Sequence, residues 1–364
     1  MMQEVAAMRT ISIINQKGGC GKTTVAINLT AALSELAKRV LLVDLDPQAH
    51  ATIGLNINYD DSEYTTYDLL KNPRVKLADA VVQVDDDLFL VPSSPVLSAV
   101  EHELAGVHGR ELKLLSKISR HPEEYDYIII DSPPNIGLLT FNALMATKEV
   151  LIPVDPSYFS LNGLQKLKET LTLLEKETKH RVKVNVLLNN LEKRTAFVRD
   201  VVGEVDRLCN AEVLDTTISH SVRFKEAALR GIPIFKMSKV DRLQREFLSL
   251  AKEIDSRASV IDTEGIDDWM VRLHGPRRIK EGVLFVLDAP NARSVYLTGE
   301  FNNWVRDGIR MEKDENDGIW KVVLDLEPGE YEYRFIVDGV WIKDPSNTDS
   351  VLNEFGQENS LLIV

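Results

Sequence analysis

Residues 15–24 read NQKGGCGKTT and bring three glycines, two lysines and two threonines into one short stretch. Gly18, Gly19 and Gly21 let backbone N–H groups turn toward an anion, and a helix start just beyond adds positive partial charge. Lys22 then supplies an ammonium for terminal phosphates and Thr23 a hydroxyl for Mg2+, with Cys20 and Thr24 completing the lining. The ordinary phosphate loop has a glycine five residues before Gly21. This chain has Gln16 there, followed by a second lysine, Lys17.

Two acidic sites follow apolar runs. VLLVDLDPQA (residues 40–49) carries Asp44 and Asp46, and YDYIIIDSPP (residues 125–134) carries Asp131. A carboxylate at the end of a buried strand beside a phosphate loop can hold Mg2+ through water, and another can orient an attacking water.

These groups need a frame. The runs TISII (10–14), VLLV (40–43), YIII (127–130), VLIPV (150–154) and VKVNVLL (182–188) are apolar almost throughout, as strands covered on both faces are. Helical spacing between them places Val25, Leu29, Ala32, Leu33 and Leu36 on one face of residues 23–38. It does the same for Leu164, Leu167, Leu171 and Leu174 in residues 164–176. A last helix spans residues 240–256. This alternation predicts a doubly wound, mostly parallel α/β domain over residues 1–256. Residues 257–280 read as a linker containing Gly275-Pro276. From residue 281 to residue 364 the pattern turns to short strands: GVLFVL (282–287), SVYL (294–297), IWKVVLDL (319–326), EYEYRFIV (330–337) and a closing LLIV (361–364), with Asp338-Gly339 as a hairpin turn. This predicts a small immunoglobulin-like sandwich.

Composition narrows the class. Apolar residues make up 44% and charged residues 27%, a globular balance. No apolar run reaches the ~20 residues of a membrane span, and the start of the chain lacks a basic stretch followed by an apolar one. Cys20 and Cys209 are too few for a disulfide framework. The cytoplasm is the expected compartment, with no membrane partner. Net charge is −13, against a general nucleic-acid coat. Yet residues 220–245 hold Arg223, Lys225, Arg230, Lys236, Lys239, Arg242 and Arg245 against Glu226 and Asp241: seven positive, two negative, net +5. Such clustering suits sequence-independent backbone contacts to DNA.

The first 256 residues resemble the ParA/MinD family of deviant Walker ATPases, and Soj-type chromosome-partitioning proteins within it. The resemblance rests on NQKGGCGKTT, RVLLVDLDPQA, YDYIIIDSPPNIGLLTFNAL and PVDPSYFSLNGL. It implies ATP/ADP and Mg2+ as cofactors and an ATP-dependent homodimer. Lys17 would cross to the partner's phosphates, Lys22 and Thr23 would bind phosphate and Mg2+, and Asp46 would position water. Asp44 and Asp131 would support the metal, and Asn189 would contact the base. It further implies DNA contacts at Arg194 and Arg223, which would bring association with the nucleoid, and a ParB-like or cargo-adaptor partner. Where ParA proteins carry Ile-Pro-Arg-Asn, this chain has Ile218-Ser219-His220-Ser221. The terminal amphipathic helix of MinD and the cluster cysteines of nitrogenase reductase have no counterpart.

In the second domain, sugar rings offer flat C–H faces to aromatic rings, and Trp304 and Trp341 fall in or beside loops. Strand alternation puts Tyr331, Tyr333, Phe335 and Val337 on one face of residues 330–337 and Glu332, Arg334 and Ile336 on the other. Trp320 alternates within a strand and reads as core. SVYLTGEFNNW, YEYRFIVDGVWIKDP and NSLLIV resemble the glycogen- and starch-binding module of the AMP-activated protein kinase beta subunit. The resemblance implies an α-glucan platform of Trp304, Arg334, Trp341 and Asn359. The combined expectation is an ATP-switched protein that positions a cargo, with an α-glucan-binding module attached. Its competitors are a regulatory scaffold whose β domain contacts protein, and a chromosome or plasmid partition ATPase.

Overall fold

A computed structural model describes residues 8–72, 74–107, 109–119, 124–155, 158–178, 180–191, 212–257, 276–279, 281–314, 318–347, 350–353 and 355–364. The chain divides into two compact units whose main boundary falls between Ile261 and Asp262.

The first unit is built on strands β1 (Arg9–Ile13), β2 (Val40–Asp44), β3 (Val82–Asp85), β4 (Leu88–Val91), β5 (Tyr127–Asp131), β6 (Glu149–Val154), β7 (Lys183–Leu191) and β8 (Glu212–Ser219). Among the described residues they form one sheet of order β3-β4-β2-β5-β1-β6-β7-β8. All neighbours are parallel except the edge strand β3, which is antiparallel to β4. Strands β1, β2, β5 and β6 are buried along their whole length, the signature of a sheet covered on both faces. The apolar-run reading finds these four and β7. It misses β3, β4 and β8 because VQVD and EVLDTTIS alternate polar residues and LFLV is only one turn signal from its neighbour.

The helix Lys22–Ser34 runs from the end of β1 and is buried on nearly all sides, Ala26, Ile27, Ala31 and Ala32 included, rather than along one stripe. It lies between the sheet and the helix Asp241–Ser256, whose Leu243, Phe247, Leu250, Ala251 and Ile254 form the expected stripe. The first helix ends at Ser34, short of the predicted Lys38, and Ala37 turns left-handed at φ 57°. The helix Tyr158–Thr178 begins earlier than its apolar spacing announces.

The second unit contains β9 (Arg277–Ile279), β10 (Gly282–Asp288), β11 (Val295–Gly299), β12 (Ile309–Arg310), β13 (Glu312–Lys313), β14 (Ile319–Leu324), β15 (Glu330–Val337), β16 (Val340–Ile342), β17 (Ser350–Leu352) and β18 (Glu358–Ile363). One sheet has order β13-β14-β10-β9; the other has order β12-β11-β15-β18-β17, with β16 on β15. Strand β9 lies inside the stretch expected as linker and pairs with β10; residues 258–275 of that stretch lie outside the described residues. Phe285, Leu287 and Trp320 from the first sheet meet Val295, Leu297, Tyr333 and Phe335 from the second in one core, so Trp320 is core as its alternation implies. Phe285 and Tyr333 meet edge to face at 5.2 Å. The β15–β16 turn places Asp338 at φ 47° and Gly339 at φ 85°, the two positive values a two-residue hairpin of matching twist requires.

A buried carboxyl should make the stability of this unit pH-dependent. Asp344 is fully buried and accepts hydrogen bonds from Tyr333 Oη at 2.6 Å and Ser346 N at 2.8 Å. Burial outweighs these bonds and pushes its pKa from 3.8 up to about 6. A raised folded-state pKa means its stabilisation is complete below the unfolded value and is lost as pH rises through the folded one. We expect Asp344→Asn to flatten the pH dependence between pH 4 and 7 by on the order of 2–3 kcal/mol, read as the difference in denaturant midpoint between variant and wild type. Parallel profiles would show that Asp344 does not titrate there.

Candidate functional site

The nucleotide-site candidates converge at the C-terminal edge of the central strands, where open α/β sheets bind ligands. Strand β5 sits between β1 and β2, in a register that pairs Asp131 with Ile13 on one side and with Asp44 on the other. The loop leaves β1 and enters the helix at Lys22. Gly19 (φ 76°) and Gly21 (φ 89°) are left-handed, and a Cβ on Gly21 would lie 2.5 Å from Asn189 Nδ2. Glycine is therefore required at position 21 on both counts. Asn189 donates through Nδ2 to the Cys20 carbonyl at 2.7 Å, tying β7 to the loop. Gly18 and Gly19 are exposed, Thr23 and Thr24 half-buried, and Lys22 and Cys20 buried. Burial raises the Cys20 thiol pKa, while Lys22 lowers it and Asp155 raises it further.

The two carboxylates at the strand ends differ. Asp44 is fully engaged: Thr52 donates to Oδ2 through its N–H at 2.9 Å and its hydroxyl at 2.7 Å, and Asp46 N donates to Oδ1 at 3.1 Å. Burial lifts its pKa to about 6. Asp131 is equally buried, and neither of its carboxylate oxygens has a hydrogen-bond partner. Burial first and the Asp44 charge second push its pKa well up, opposed by Thr23 and Lys22. Such a carboxylate is costly unless something polar completes it. Among the described residues no cluster of three or more His, Cys, Asp or Glu could cage a metal. This donor set fits Mg2+ bound through a hydroxyl, phosphates and water. Asp46 is 7% exposed, and its Oδ1 accepts from Gln48 N at 2.9 Å.

Lys17 points to a residue that the sequence reading does not single out. Its Nζ lies 2.8 and 2.6 Å from the two carboxylate oxygens of Asp155, just beyond β6. An aspartate before a proline reads as a turn residue, and nothing in a linear pattern pairs it with a lysine far upstream.

Arg194 lies outside the described residues. Arg223 opens the helix Arg223–Arg230 and, with Lys239, Arg242 and Arg245, lines a shallow depression of about 530 Å³. Within the basic segment, Arg223 pairs with Glu226, Arg242 with Glu246 and Lys236 with Asp85, so carboxylates offset three of its seven charges.

In the second unit, Trp304, Arg334, Trp341 and Asn359 line one basin of about 800 Å³. The Trp304 and Trp341 rings lie 6.4 Å apart and 21° from parallel. Asn303 (φ 53°) and Trp304 (φ 57°) are successive non-glycine residues in the left-handed region, a strained turn that presents the indole. Arg334 Nη1 donates to Gln357 Oε1 at 2.8 Å and Nη2 to the Trp341 carbonyl at 3.2 Å, while its Nε is buried without a partner. Asn359 Nδ2 donates to Glu332 Oε2 at 2.8 Å. Ile336, expected on the open face with Arg334, is only 5% exposed; it stands opposite Trp341 in the β15–β16 register. Phe355 and Leu352, 79% and 73% exposed, also line the basin. Sequence reasoning passes over Phe355, whose signal is an aromatic next to the turn glycine Gly356.

Residues 8–184 match the model of a family described as an AAA domain, and residues 285–364 match the glycogen recognition site of AMP-activated protein kinase. The chain is 40% identical over 247 residues to the sporulation initiation inhibitor protein Soj of Bacillus subtilis, covering 68% of this chain and 98% of that protein. It is 38% identical over 251 residues to the chromosome partitioning protein ParA of Myxococcus xanthus, covering 68% and 88%. Among solved structures, a Cyanothece McdA–ATP complex superposes with TM-score 0.61 at 27% identity, covering 68% of this chain and 96% of that one. A Mycobacterium smegmatis cobyrinic acid a,c-diamide synthase with bound ADP and magnesium superposes with TM-score 0.59 at 28% identity, covering 70% and 98%. The chain belongs to the ParA/Soj family of P-loop ATPases and carries, after that domain, a module of the AMP-activated-protein-kinase glycogen-recognition type.

Proposed function

We propose that this protein is an ATP-switched positioning device whose second unit attaches it to an α-glucan such as glycogen. The observation that carries the attachment is the convergence of Trp304, Arg334, Trp341 and Asn359 on one basin. Two nearly parallel indoles suit the flat faces of sugar rings, and the Arg334 and Asn359 side chains suit their hydroxyls.

On the ATPase side, Gly18 to Thr24 cradle the phosphates and Lys22 neutralises them. Thr23 would hold Mg2+, with Asp131 accepting from its waters; the ion neutralises charge on the phosphates. Asp131 suits this better than Asp44, whose oxygens are already satisfied and brace the turn bearing Asp46. Asp46 orients the attacking water. Lys17 reaches the phosphates of a second copy, so turnover is slow until two ATP-bound chains meet, and loss of the γ-phosphate loosens the pair. Asn189, held against the loop by its bond to the Cys20 carbonyl, is the residue that would contact the base. The basic depression around Arg223 suits sequence-independent contact with DNA, and such binding should weaken steeply with salt in a gel shift. A flat salt response would argue against it.

Replacing an aromatic anchor at the centre of a binding patch costs about 2 kcal/mol or more, roughly 30-fold in affinity. Trp304→Ala should therefore remove binding to amylose or glycogen in a pull-down while leaving ATP turnover within twofold. Retained binding would dismantle the platform and favour the reading in which this unit contacts protein.

A further inference from the structure

We propose that Asp155 is a positioning residue that holds Lys17 within its own chain, so that the lysine must be released before it can serve a second copy; this rests on the reading of Lys17 given above. The geometry is specific. Strands β1 and β6 are neighbours, pairing Ile13 with Leu151, so the loop after β1 and the segment after β6 emerge side by side. Two hydrogen bonds fix them there: Asn15 Nδ2 donates to the Pro153 carbonyl at 2.7 Å, and Lys17 N donates to Asn15 Oδ1 at 2.9 Å. With the backbone of Lys17 pinned, its ammonium reaches both oxygens of Asp155. The two side chains are only 28% and 19% exposed, so solvent screens the pair less than a surface ion pair.

Two charges then compete for one ammonium. In the single chain the Asp155 carboxylate satisfies Lys17. In a nucleotide-bound pair the phosphates of the other chain offer a stronger, multiply charged acceptor. An ammonium has three N–H donors, and two of them are turned to Asp155, so reaching toward another chain's phosphates costs Lys17 one or both of these contacts. Asp155 therefore sets how much nucleotide is needed before two chains associate, acting through Lys17 and not by touching nucleotide. Asp155→Asn keeps the shape and removes the charge, and Asp155→Glu keeps the charge.

The test measures dimerisation of the full chain by sedimentation velocity against a non-hydrolysable ATP analogue with Mg2+. An ion pair of this exposure is worth up to about a tenfold change in an equilibrium. Asp155→Asn should lower the analogue concentration for half-maximal dimerisation by about 3- to 10-fold. Asp155→Glu should restore a threshold near that of wild type, and added salt should narrow the gap between Asn variant and wild type. In a double-mutant cycle, analogue binding to Lys17→Ala chains should be the same with and without Asp155→Asn. An Asn variant whose threshold is unchanged or higher overturns the proposal. So does a gain in analogue affinity that persists in the Lys17→Ala background, since Asp155 would then act on nucleotide directly. If Lys17→Ala alone dimerises like wild type, the failure lies with the reading of Lys17 itself.

Discussion

Replacing Lys17 by alanine should abolish nucleotide-dependent dimerisation and lower ATP turnover by about two to three orders of magnitude, the loss expected when one charged donor to a phosphoryl transition state is removed. Binding of nucleotide to the single chain should change little, because Lys22, Thr23 and the backbone of Gly18 to Gly21 remain. Asp46→Ala should lose turnover by a similar factor for a different reason. Its carboxylate would orient water, so its removal leaves the phosphates intact and the dimer should persist longer than in wild type. Light scattering after gel filtration with ATP and Mg2+ separates the two variants. If Asp46→Ala dimerises no more persistently than wild type, its assigned role is wrong. If Lys17→Ala still forms the dimer, the extra lysine is not the bridge.

The second large effect concerns stability, at the opposite end of the sheet. Arg9 at the start of β1 donates through Nε and Nη2 to the two oxygens of Glu149 at 2.8 and 2.9 Å. Its Nη1 reaches the Ile254 carbonyl at 2.6 Å and Tyr127 Oη at 3.1 Å, and Tyr127 in turn donates to Asp255 at 2.7 Å. Arg9 is 8% exposed and Glu149 1%. Three strands and the last helix thus meet in one buried network. Glu149→Ala strands the guanidinium and should cost about 3–5 kcal/mol, because the charge stays desolvated after losing its partner. For a unit of this size that corresponds to a fall of roughly 6–20 °C in Tm. Arg9→Met with Glu149→Leu should recover most of the loss, since an apolar pair of similar volume carries no such penalty. A single variant within 1 kcal/mol of wild type would mean that water reaches the site.

The sequence was legible where burial is uniform along an element. TISII, VLLV and YIII announce fully covered strands, and the groups that follow them had to sit at one edge of the sheet. Asp44 and Asp131 accordingly fall opposite each other in register. What the pattern could not convey was the use of each carboxylate: Thr52 holds Asp44 in well-formed hydrogen bonds, whereas Asp131 has Thr23 and Lys22 nearby but no hydrogen bond of ordinary geometry. Contacts between residues remote in sequence were equally hidden. Arg9 looks like a polar residue before a strand and Glu149 like one at a helix exit, and only strand order makes them neighbours. Asp155 was hidden in the same way. In the second unit, period-two alternation separated Arg334 from Tyr333 and Phe335. Ile336 departed from it: its partner across the β15–β16 ladder is Trp341, whose side chain shares its face of the sheet.

An ATP-driven pair of chains would carry two glucan modules and should hold a polymer more tightly than one chain does. Multivalent attachment raises apparent affinity by up to ~100-fold or more without a new contact. The direct measurement is co-sedimentation with glycogen across a protein titration, with ADP or with a non-hydrolysable ATP analogue, for wild type, Lys17→Ala and Trp304→Ala. The account predicts that the analogue lowers the wild-type midpoint at least tenfold relative to ADP. It predicts that Lys17→Ala binds equally weakly with either nucleotide and that Trp304→Ala stays in the supernatant. Wild-type protein that fails to sediment, or that sediments identically with both nucleotides and in the Lys17→Ala background, would contradict it.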